Sequence, residues 1–331
     1  MAKQQSVIVQ TERNYIYALK VLAVISIVSA HCTYVSSDTN KINILFSWIL
    51  NKIGSIGVGV FFIISGYFFY KNECSFSKFF FKKIKTILLP WIMTGTCVYL
   101  YTVLRNGGLG LYSWFKFILG DGTYLYFLSL LILFYMIFFY NRKNKIFIYC
   151  SIFTSIISIW LTSLGYFSKT NPFLNPFNFI IYFSIGILIA NKNILINIAS
   201  ICTRYKNILL VWYIILLILI KIFNISSGYW GYSTLIIQPV AILLVFGLST
   251  KKLLYSEKIL KIGQESFSIY LLHMPVAGII SNIFSRFDLW VLTLVRPFII
   301  IGITMGFISL YKYISNRFNM SNILNPIIGI R

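Results

Sequence analysis

Long apolar runs alternate with short polar breaks along almost the whole chain. A helix needs about 20 predominantly apolar residues to cross a bilayer core of about 30 Å, and most of the runs have about that length. The pattern predicts an all-α fold, a polytopic membrane helical bundle with about ten transmembrane helices, over residues 15–34, 53–70, 86–104, 122–140, 146–164, 177–191, 207–224, 232–249, 264–283 and 289–314.

The composition supports the same class. Of the 331 residues, 58% are hydrophobic and 11% are charged, and the mean hydropathy is +0.82. The first run is too long for a signal-peptide core and lacks a small-residue cleavage pattern after it, so we expect it to be retained. Without a linker or a low-complexity segment, the sequence predicts a single integral membrane domain over residues 1–331, multi-pass in the cell membrane.

Basic residues are concentrated in alternate breaks between the runs. The chain has 29 Lys and Arg against 7 Asp and Glu, a net charge of +22. If the N-terminus is cytoplasmic, most basic residues fall on the cytoplasmic side, including segment 71–85, which agrees with the positive-inside rule. We therefore expect both termini in the cytoplasm and membrane lipids as partners. Because no soluble module is long enough to present a basic stripe, nucleic acid is not expected as a partner.

His31 is one of two histidines and lies inside the first apolar run. A polar group inside the bilayer is costly enough to indicate function, and imidazole is the side chain suited to proton transfer near neutral pH. Arg13 and Lys20 precede His31 by 18 and 11 residues. At about 100° per residue all three project from one helix face, to within about 20°. The rise of about 1.5 Å per residue places Lys20 roughly 16 Å from His31, which suits a long ligand with a charged head.

Few other residues could carry chemistry inside the membrane. The acidic residues lie in breaks or at the ends of runs, which weakens a proton-coupled transporter and excludes a local Ser/His/Asp triad unless a loop carboxylate folds inward. The five cysteines are scattered and lack CxxC spacing, so neither a disulfide framework nor a metal site is expected. His273 lies about 15 Å into the ninth run by the helical rise. The two histidines could therefore share a cavity.

Five stretches of the sequence together resemble one known family. They are Lys20 followed by ten residues and His31, then Gly57–Tyr67, Phe79–Pro90, Leu125–Leu128 and Ile262–Pro275. In this order they are similar to the first-span signature, the second-span block, the basic loop, the Leu-Trp-Phe-Leu stretch and the late-span histidine of the acyltransferase 3 family of membrane acyltransferases. The resemblance covers nearly the whole chain, and the number of spans agrees.

Two positions depart from the family's pattern. Lys20 stands where Arg is usual, which keeps the charge but loses the bidentate fork for a phosphate or carboxylate. Tyr17 stands where Asp is common, three residues earlier. Whatever that Asp orients in relatives must be handled differently in this chain.

The resemblance implies transfer of an acyl group, most often acetyl, from cytoplasmic acyl-CoA to a hydroxyl of a polysaccharide or lipid-linked glycan, such as a capsule or another bacterial cell-surface polymer. His31 would remove the proton of that hydroxyl, typically worth 10²–10⁴-fold in rate, or would itself be acylated and carry the group. Acetyl-CoA or another acyl-CoA would be the donor substrate, and no metal is implied. The donor's phosphates would be bound by cytoplasmic cations, namely Arg13, Lys20, Lys82, Lys83 and Lys85.

Other interpretations of these residues stay open. His31 could serve packing or an interhelical hydrogen bond, and His273 could bind the acceptor, relay a proton or satisfy a neighbouring carbonyl. Ser65 and Tyr126 are candidate acceptor-binding residues, but a helix-packing hydroxyl and an interfacial aromatic residue give the same pattern.

Further alternatives concern cations, glycines and the chain as a whole. Segment 71–85 could serve only to set topology and attract anionic lipid. The second-run glycines favour close approach of helices. Lys221 and Arg296, near the outer ends of their runs, are expected to snorkel. The alternative function is a non-catalytic permease that exports a polysaccharide or lipid-linked sugar, which has no need for an imidazole within the membrane.

Overall fold

The computed structural model describes residues 2–32, 40–167, 170–225, 231, 233–284, 287 and 289–330. Within these ranges the chain forms α-helices and no strand, so the predicted all-α class is confirmed. The helices are α1 (Ala2–Ala30), α2 (Lys41–Lys71), α3 (Phe76–Lys83), α4 (Leu89–Asn106), α5 (Leu111–Leu119), α6 (Tyr126–Phe139), α7 (Lys145–Ser163), α8 (Ile180–Asn191), α9 (Leu195–Ile222), α10 (Thr234–Leu248), α11 (Glu257–Gln264), α12 (Ser266–Phe284), α13 (Trp290–Arg317) and α14 (Ser321–Leu324).

Every predicted apolar run coincides with a helical element. In the part of the chain that the structure describes, seven elements are long and apolar enough to cross a membrane: Gln10–Ala30, Lys41–Lys71, Phe76–Leu104, Lys145–Ser163, Leu195–Ile222, Ser266–Phe284 and Trp290–Arg317. The remaining three runs correspond to the shorter helices α6, α8 and α10. The chain is a multi-pass membrane protein.

The three shorter helices cover less of the chain than the predicted spans, and turn residues precede α6 and α8. They have 14, 12 and 15 residues, or about 18–22 Å at the helical rise, which is less than the hydrocarbon core. Gly120 and Gly122, with φ of 92° and 73°, form the turn before α6. A 3₁₀ turn over Pro176–Asn178 precedes α8, and Pro239 lies inside α10.

The first helix ends earlier than predicted. The first run was expected to be helical through residue 34, but α1 ends at Ala30. The N–H groups of His31 and Cys32 donate to the carbonyl oxygens of Val28 and Ser29, both at 3.1 Å. These bonds span three residues rather than four and tighten the chain into a turn. His31 therefore lies just beyond the helix end rather than inside it, and residues 33–39 lie outside the described ranges.

The basic segment 71–85 is mostly helical, although the sequence predicted a loop. Only residues 72–75 are not helical, and a π-helical stretch, Ile84–Leu88, joins α3 to α4. On α3 the side chain of Phe79 is buried, while Lys78 and Lys82 are exposed. At helical spacing, the Phe79 side chain is buried on one face of α3, and the lysines point outward from another face. An irregular loop would not separate the two kinds of side chain in this way.

The helices group into two compact units. Unit one contains Met1–Ala23, Ser55–Glu73 and Leu131–Gln264. Unit two contains Val24–Gly54, Cys74–Leu130 and Glu265–Arg331. A single domain over residues 1–331 stays a prediction.

In unit one, α2 and α8 pack with their backbones in contact. A Cβ on Gly66 would lie 2.1 Å from the carbonyl oxygen of Phe183, and a Cβ on Gly186 would lie 2.1 Å from that of Ile63. Only glycine permits this reciprocal approach, which is typical of helix pairs in membranes. The predicted role of the second-run glycines is confirmed at Gly66.

Candidate active site

In unit two, the end of α1 is fixed against the first half of α2. A Cβ on Gly54 would lie 2.3 Å from the Cβ and 2.6 Å from the Cα of Ala30, so the two backbones approach as closely as glycine allows. The Ser26 hydroxyl donates to the carbonyl oxygen of Ile53. His31 follows Ala30 directly and is half-buried. The α1–α2 crossing therefore sets the backbone position of His31.

His273 lies on α12 and is completely buried. Its Nδ1 lies 2.7 Å from the carbonyl oxygen of Tyr270 and 3.2 Å from that of Ile269. Because both partners are acceptors, Nδ1 carries the proton and donates it. Nε2 then presents its lone pair, and it is buried without a hydrogen-bond partner among the described residues. The backbone thus fixes the tautomer and leaves one nitrogen available to accept a proton or a hydrogen bond.

The segment before α6 fixes α12 beside His273. Pro275 has no N–H, so the carbonyl of Leu271, four residues earlier, loses its helical donor. The Tyr124 hydroxyl replaces that donor at 2.8 Å, and the Tyr270 hydroxyl donates to the carbonyl of Tyr124 in return. The exchange supplies the Leu271 carbonyl with the hydrogen bond that Pro275 cannot donate, and it fixes the part of α12 that carries His273.

The two histidines meet in unit two. The ring centroids of His31 and His273 are 5.2 Å apart, and the ring planes are inclined by 49°. The Tyr124 ring meets the His273 ring edge to face at 5.3 Å, and the Tyr270 ring lies 6.0 Å away. Two imidazoles, one half-buried and one fully buried, therefore lie side by side against an aromatic wall. One imidazole of such a pair can take the proton of a hydroxyl while the other accepts a hydrogen bond from the substrate, so the proton transfer does not need a carboxylate.

Arg296 does not snorkel, contrary to the prediction. The residue is 2% exposed on α13, and its Cζ lies 5.6 Å from the centroid of the Phe284 ring. The sequence places it near a span end, but the direction in which its side chain turns depends on neighbouring helices. Lys221, the other predicted snorkelling cation, is exposed.

In unit one, Lys20 lies half-buried on α1 between two aromatic rings. Its Nζ lies 5.8 Å from the centroid of the Tyr17 ring and 5.8 Å from that of Phe68. At the position where the family pattern has Asp, Tyr17 therefore offers Lys20 an aromatic face and a cation–π contact. Arg13, further towards the N-terminus, is exposed and donates to the side chain of Gln10.

A carboxylate that sequence reasoning treated only as a helix-end acid joins α1 to α2 in unit one. Glu12 accepts hydrogen bonds from the Tyr67 hydroxyl and, at 2.8 Å, from Lys71 Nζ. The partners are more than fifty residues away in sequence, so no local pattern indicated the contact. Glu12 neutralises part of the charge next to Arg13 and fixes the helix that carries Lys20.

The predicted donor-binding cations are divided between the two units. Arg13 and Lys20 belong to unit one, whereas Lys82, Lys83 and Lys85 belong to unit two. Lys82 and Lys85 are exposed, and Lys83 is half-buried with its Nζ 5.2 Å from the centroid of the Phe79 ring. All three lie on the continuous helical stretch that begins at Phe76, which fixes their spacing.

Besides His273, the predicted acceptor-binding residues are Ser65 and Tyr126, and these two belong to different units. Ser65 is half-buried on α2 in unit one. Tyr126 is buried at the start of α6 in unit two, where a Cβ on Gly120 would lie 2.0 Å from its backbone nitrogen. Because Tyr126 is buried, it does not belong to an interfacial aromatic belt. It lies in unit two, the unit that holds both histidines.

The described ranges contain no group of three or more His, Cys, Asp or Glu side chains that could hold a metal ion. All five cysteines are free thiols.

Comparison with known proteins identifies the family. The family model described as an acyltransferase domain, acyltransferase 3, matches residues 13–313, from Arg13 on α1 into α13. No curated protein and no solved structure matches the chain. The matched range includes both histidines and every cation discussed above. On this match over nearly its whole length, the chain belongs to the acyltransferase 3 family of membrane acyltransferases.

Proposed function

We propose that this membrane acyltransferase moves an acetyl group from acyl-CoA to a hydroxyl of a cell-surface or membrane-linked polysaccharide in the cell membrane. The observation that carries the proposal is the imidazole pair of unit two, with rings 5.2 Å apart and with His273 Nε2 lacking a hydrogen-bond partner among the described residues. A sugar hydroxyl is a weak nucleophile at neutral pH, and a positioned imidazole is the general base that its acylation needs.

The direct reaction requires one proton acceptor. His31 takes the proton of the acceptor hydroxyl while the hydroxyl oxygen bonds to the thioester carbon. The carbon–sulfur bond then breaks, and the proton passes from His31 to the departing CoA thiolate. The products are an acetyl ester and free CoA, so atoms and charge balance. His273, whose Nε2 presents a lone pair, holds a neighbouring hydroxyl of the acceptor by accepting its hydrogen bond.

A covalent route uses the same pair. His31 attacks the thioester carbon, the carbon–sulfur bond breaks, and the CoA thiolate takes the proton that His31 loses. His273 then takes the proton of the sugar hydroxyl while its oxygen bonds to the acetyl carbon, and passes that proton to His31 as the carbon–nitrogen bond breaks. The routes differ in an observable, because only the second forms an acetyl-imidazole on His31 when the acceptor is withheld.

Donor binding is proposed at the cations of the first-span signature. CoA is long, and its phosphates lie at the far end from the thioester. Lys20 precedes His31 by 11 residues, so along α1 it lies roughly 16 Å away, and Arg13 lies further along the same helix. Charge-assisted hydrogen bonds from these two cations would hold the phosphates. Donor binding by Lys82, Lys83 and Lys85 stays a prediction from the sequence. Ser65 and Tyr126 are proposed as acceptor contacts.

The experiment that tests the proposal compares polymer amount with polymer acetylation. The gene is deleted and complemented with wild type, with His31→Ala or with the exposed-cation control Lys221→Gln, at matched protein levels. We expect unchanged polymer in every strain, and acetyl ester in the wild type and the control but not in His31→Ala. Normal acetylation by His31→Ala would refute the catalytic role. Loss of surface polymer on deletion would favour the permease.

A further inference from the structure

Arg296 is a buried cation that the proposed chemistry does not use. It is 2% exposed, and both Nε and Nη1 are buried without a hydrogen-bond partner in the described part of the chain. None of the four ion pairs formed by described residues includes it. The Phe284 ring, 5.6 Å from Cζ, offers a cation–π contact, which is weak compensation for a desolvated guanidinium. A guanidinium stays charged, and no described acidic side chain pairs with it.

Arg296 belongs to the same unit as His31. It lies three residues after Thr293, whose hydroxyl donates to the side chain of Asn43 on the first half of α2, and Gly54 in that half contacts Ala30 beside His31. Cys32, which directly follows His31, is fully buried, and its thiol donates a hydrogen bond to the carbonyl oxygen of Val28 at 3.1 Å. The first half of α2 therefore links the end of α1, which precedes His31, to the part of α13 that carries Arg296, all within unit two.

We propose that Arg296 binds an anionic substituent, a carboxylate or phosphate, on the sugar that accepts the acyl group. The inference rests on the proposed function, because it takes the surroundings of His31 to be the acceptor site. Buried charges in proteins are paired, and the missing partner of Arg296 is then supplied by the ligand. A carboxylate or phosphate on an acceptor sugar lies within a few bond lengths of its hydroxyls, so the inference requires one sugar to contact both His31 and Arg296.

The phosphates of the CoA donor are poorer candidates for the anion that Arg296 binds. In CoA the neutral pantetheine arm separates the phosphates from the thioester, so phosphates near Arg296 would place the thioester away from His31. The cations of α1 that suit those phosphates lie 11 and 18 residues before His31. Arg296 would therefore select acidic sugars over neutral ones rather than bind the donor.

Ligand-induced thermal stabilisation of the purified full-length protein tests the inference. The probes are glucuronic acid, glucose 1-phosphate, neutral glucose and CoA, at constant ionic strength. The proteins are wild type, Arg296→Gln, Arg296→Met, His31→Ala and the exposed-cation control Lys221→Gln. We expect an acidic sugar to stabilise wild type, Lys221→Gln and His31→Ala more than glucose does. Both Arg296 variants should bind that acidic sugar roughly 10- to 100-fold more weakly, with the effect of CoA unchanged.

A second readout separates a binding role from a structural one. Without ligand, Arg296→Met should unfold at a higher temperature than wild type, because an unpaired buried charge is removed. A lower unfolding temperature would indicate that Arg296 stabilises the fold and would overturn the inference. Equal stabilisation of wild type by acidic and neutral sugars, or loss of CoA binding in place of sugar binding, would also overturn it. Absence of acyl transfer by wild type with acidic-sugar binding intact would refute the proposed function alone.

Discussion

His273 is held by one nitrogen and presents the other. Its Nδ1 donates to two backbone carbonyls, and its buried Nε2 faces no described partner. A histidine needed only for packing would be satisfied by the first contact. The unpaired Nε2 is therefore the feature at the residue scale that requires a function.

An Asn substitution separates the two nitrogens. In His273→Asn the amide N–H₂ reaches the carbonyls that Nδ1 serves, but no group replaces Nε2. We expect thermal stability close to that of wild type and a fall in acyl-transfer rate of roughly 10²-fold. His273→Ala, which loses both contacts, should also be less stable by about 1–3 kcal/mol. Wild-type activity of His273→Asn would assign the residue a structural role.

Lys20 gives a second prediction at the residue scale. Lys20→Gln should raise the KM for acyl-CoA about tenfold by removing a charge-assisted contact to phosphate. The effect should be largest at low ionic strength, because salt screens the interaction. Lys20→Arg restores the charge and adds a bidentate fork, so its KM should equal or fall below that of wild type. An unchanged KM in Lys20→Gln would remove Lys20 from the donor site, and Lys221→Gln is the matched control.

The sequence predicted correctly how far along their helices the two histidines lie, but it did not predict the direction in which the Arg296 side chain turns. The helical rise placed His31 and His273 at comparable depth, and their rings are in contact. The same reasoning gave Arg296 a position near a span end but predicted that it would snorkel, whereas it turns inward. The direction of a long side chain depends on which helices surround it, and one sequence without tertiary contacts does not contain that information.

Helix contacts set the geometry at the scale of elements. Gly54 lets α2 touch Ala30 at the end of α1, one residue before His31. The exchange of hydrogen bonds between Tyr124 and α12 fixes the backbone position of His273 in the same way. The two imidazoles are thus positioned by separate helix contacts within unit two.

Enlarging Gly54 should displace His31 without touching it. Gly54→Val would force its side chain into the Ala30 backbone, and overpacking of this kind costs about 1–3 kcal/mol. We expect lower thermal stability and strongly reduced acyl transfer. Gly302→Ala on α13, where a Cβ has open space, is the control and should be neutral or stabilising by up to about 1 kcal/mol. Full activity of Gly54→Val would show that the α1–α2 contact does not position His31.

The basic segment shows what sequence reasoning missed at this scale. Charge density suggested a loop, but the Phe–Lys spacing forms α3, and the π-helical stretch Ile84–Leu88 continues it into α4. Buried Phe79 provides the apolar face that makes the helix stable. Helix existence followed from periodicity along the chain, whereas helix ends depended on turns and on packing partners.

On the scale of the whole molecule, the class and the number of apolar helices were predictable, because bilayer thickness dictates run length. The division into two compact units was not, because units are defined by contacts between distant segments. α1 and α2 each contribute to both units, so no composition change or linker marks the limits.

The sidedness of the termini is a prediction at this scale. Ten crossings and the positive-inside distribution place both ends in the cytoplasm. Green fluorescent protein fused at either terminus should therefore fluoresce, and alkaline phosphatase at either terminus should be inactive. Active phosphatase at one end only would mean an odd number of crossings, and would indicate that α6, α8 or α10 does not traverse the membrane.

The most direct measurement of the central claim is transfer of isotope-labelled acetyl from acetyl-CoA to polysaccharide in membranes that contain equal amounts of wild type or His31→Ala. The imidazole pair predicts acetyl incorporation by wild type and a rate roughly 10²–10⁴-fold lower for His31→Ala. Equal incorporation by the two proteins would contradict the account, because it would place the catalytic base outside the pair formed by His31 and His273.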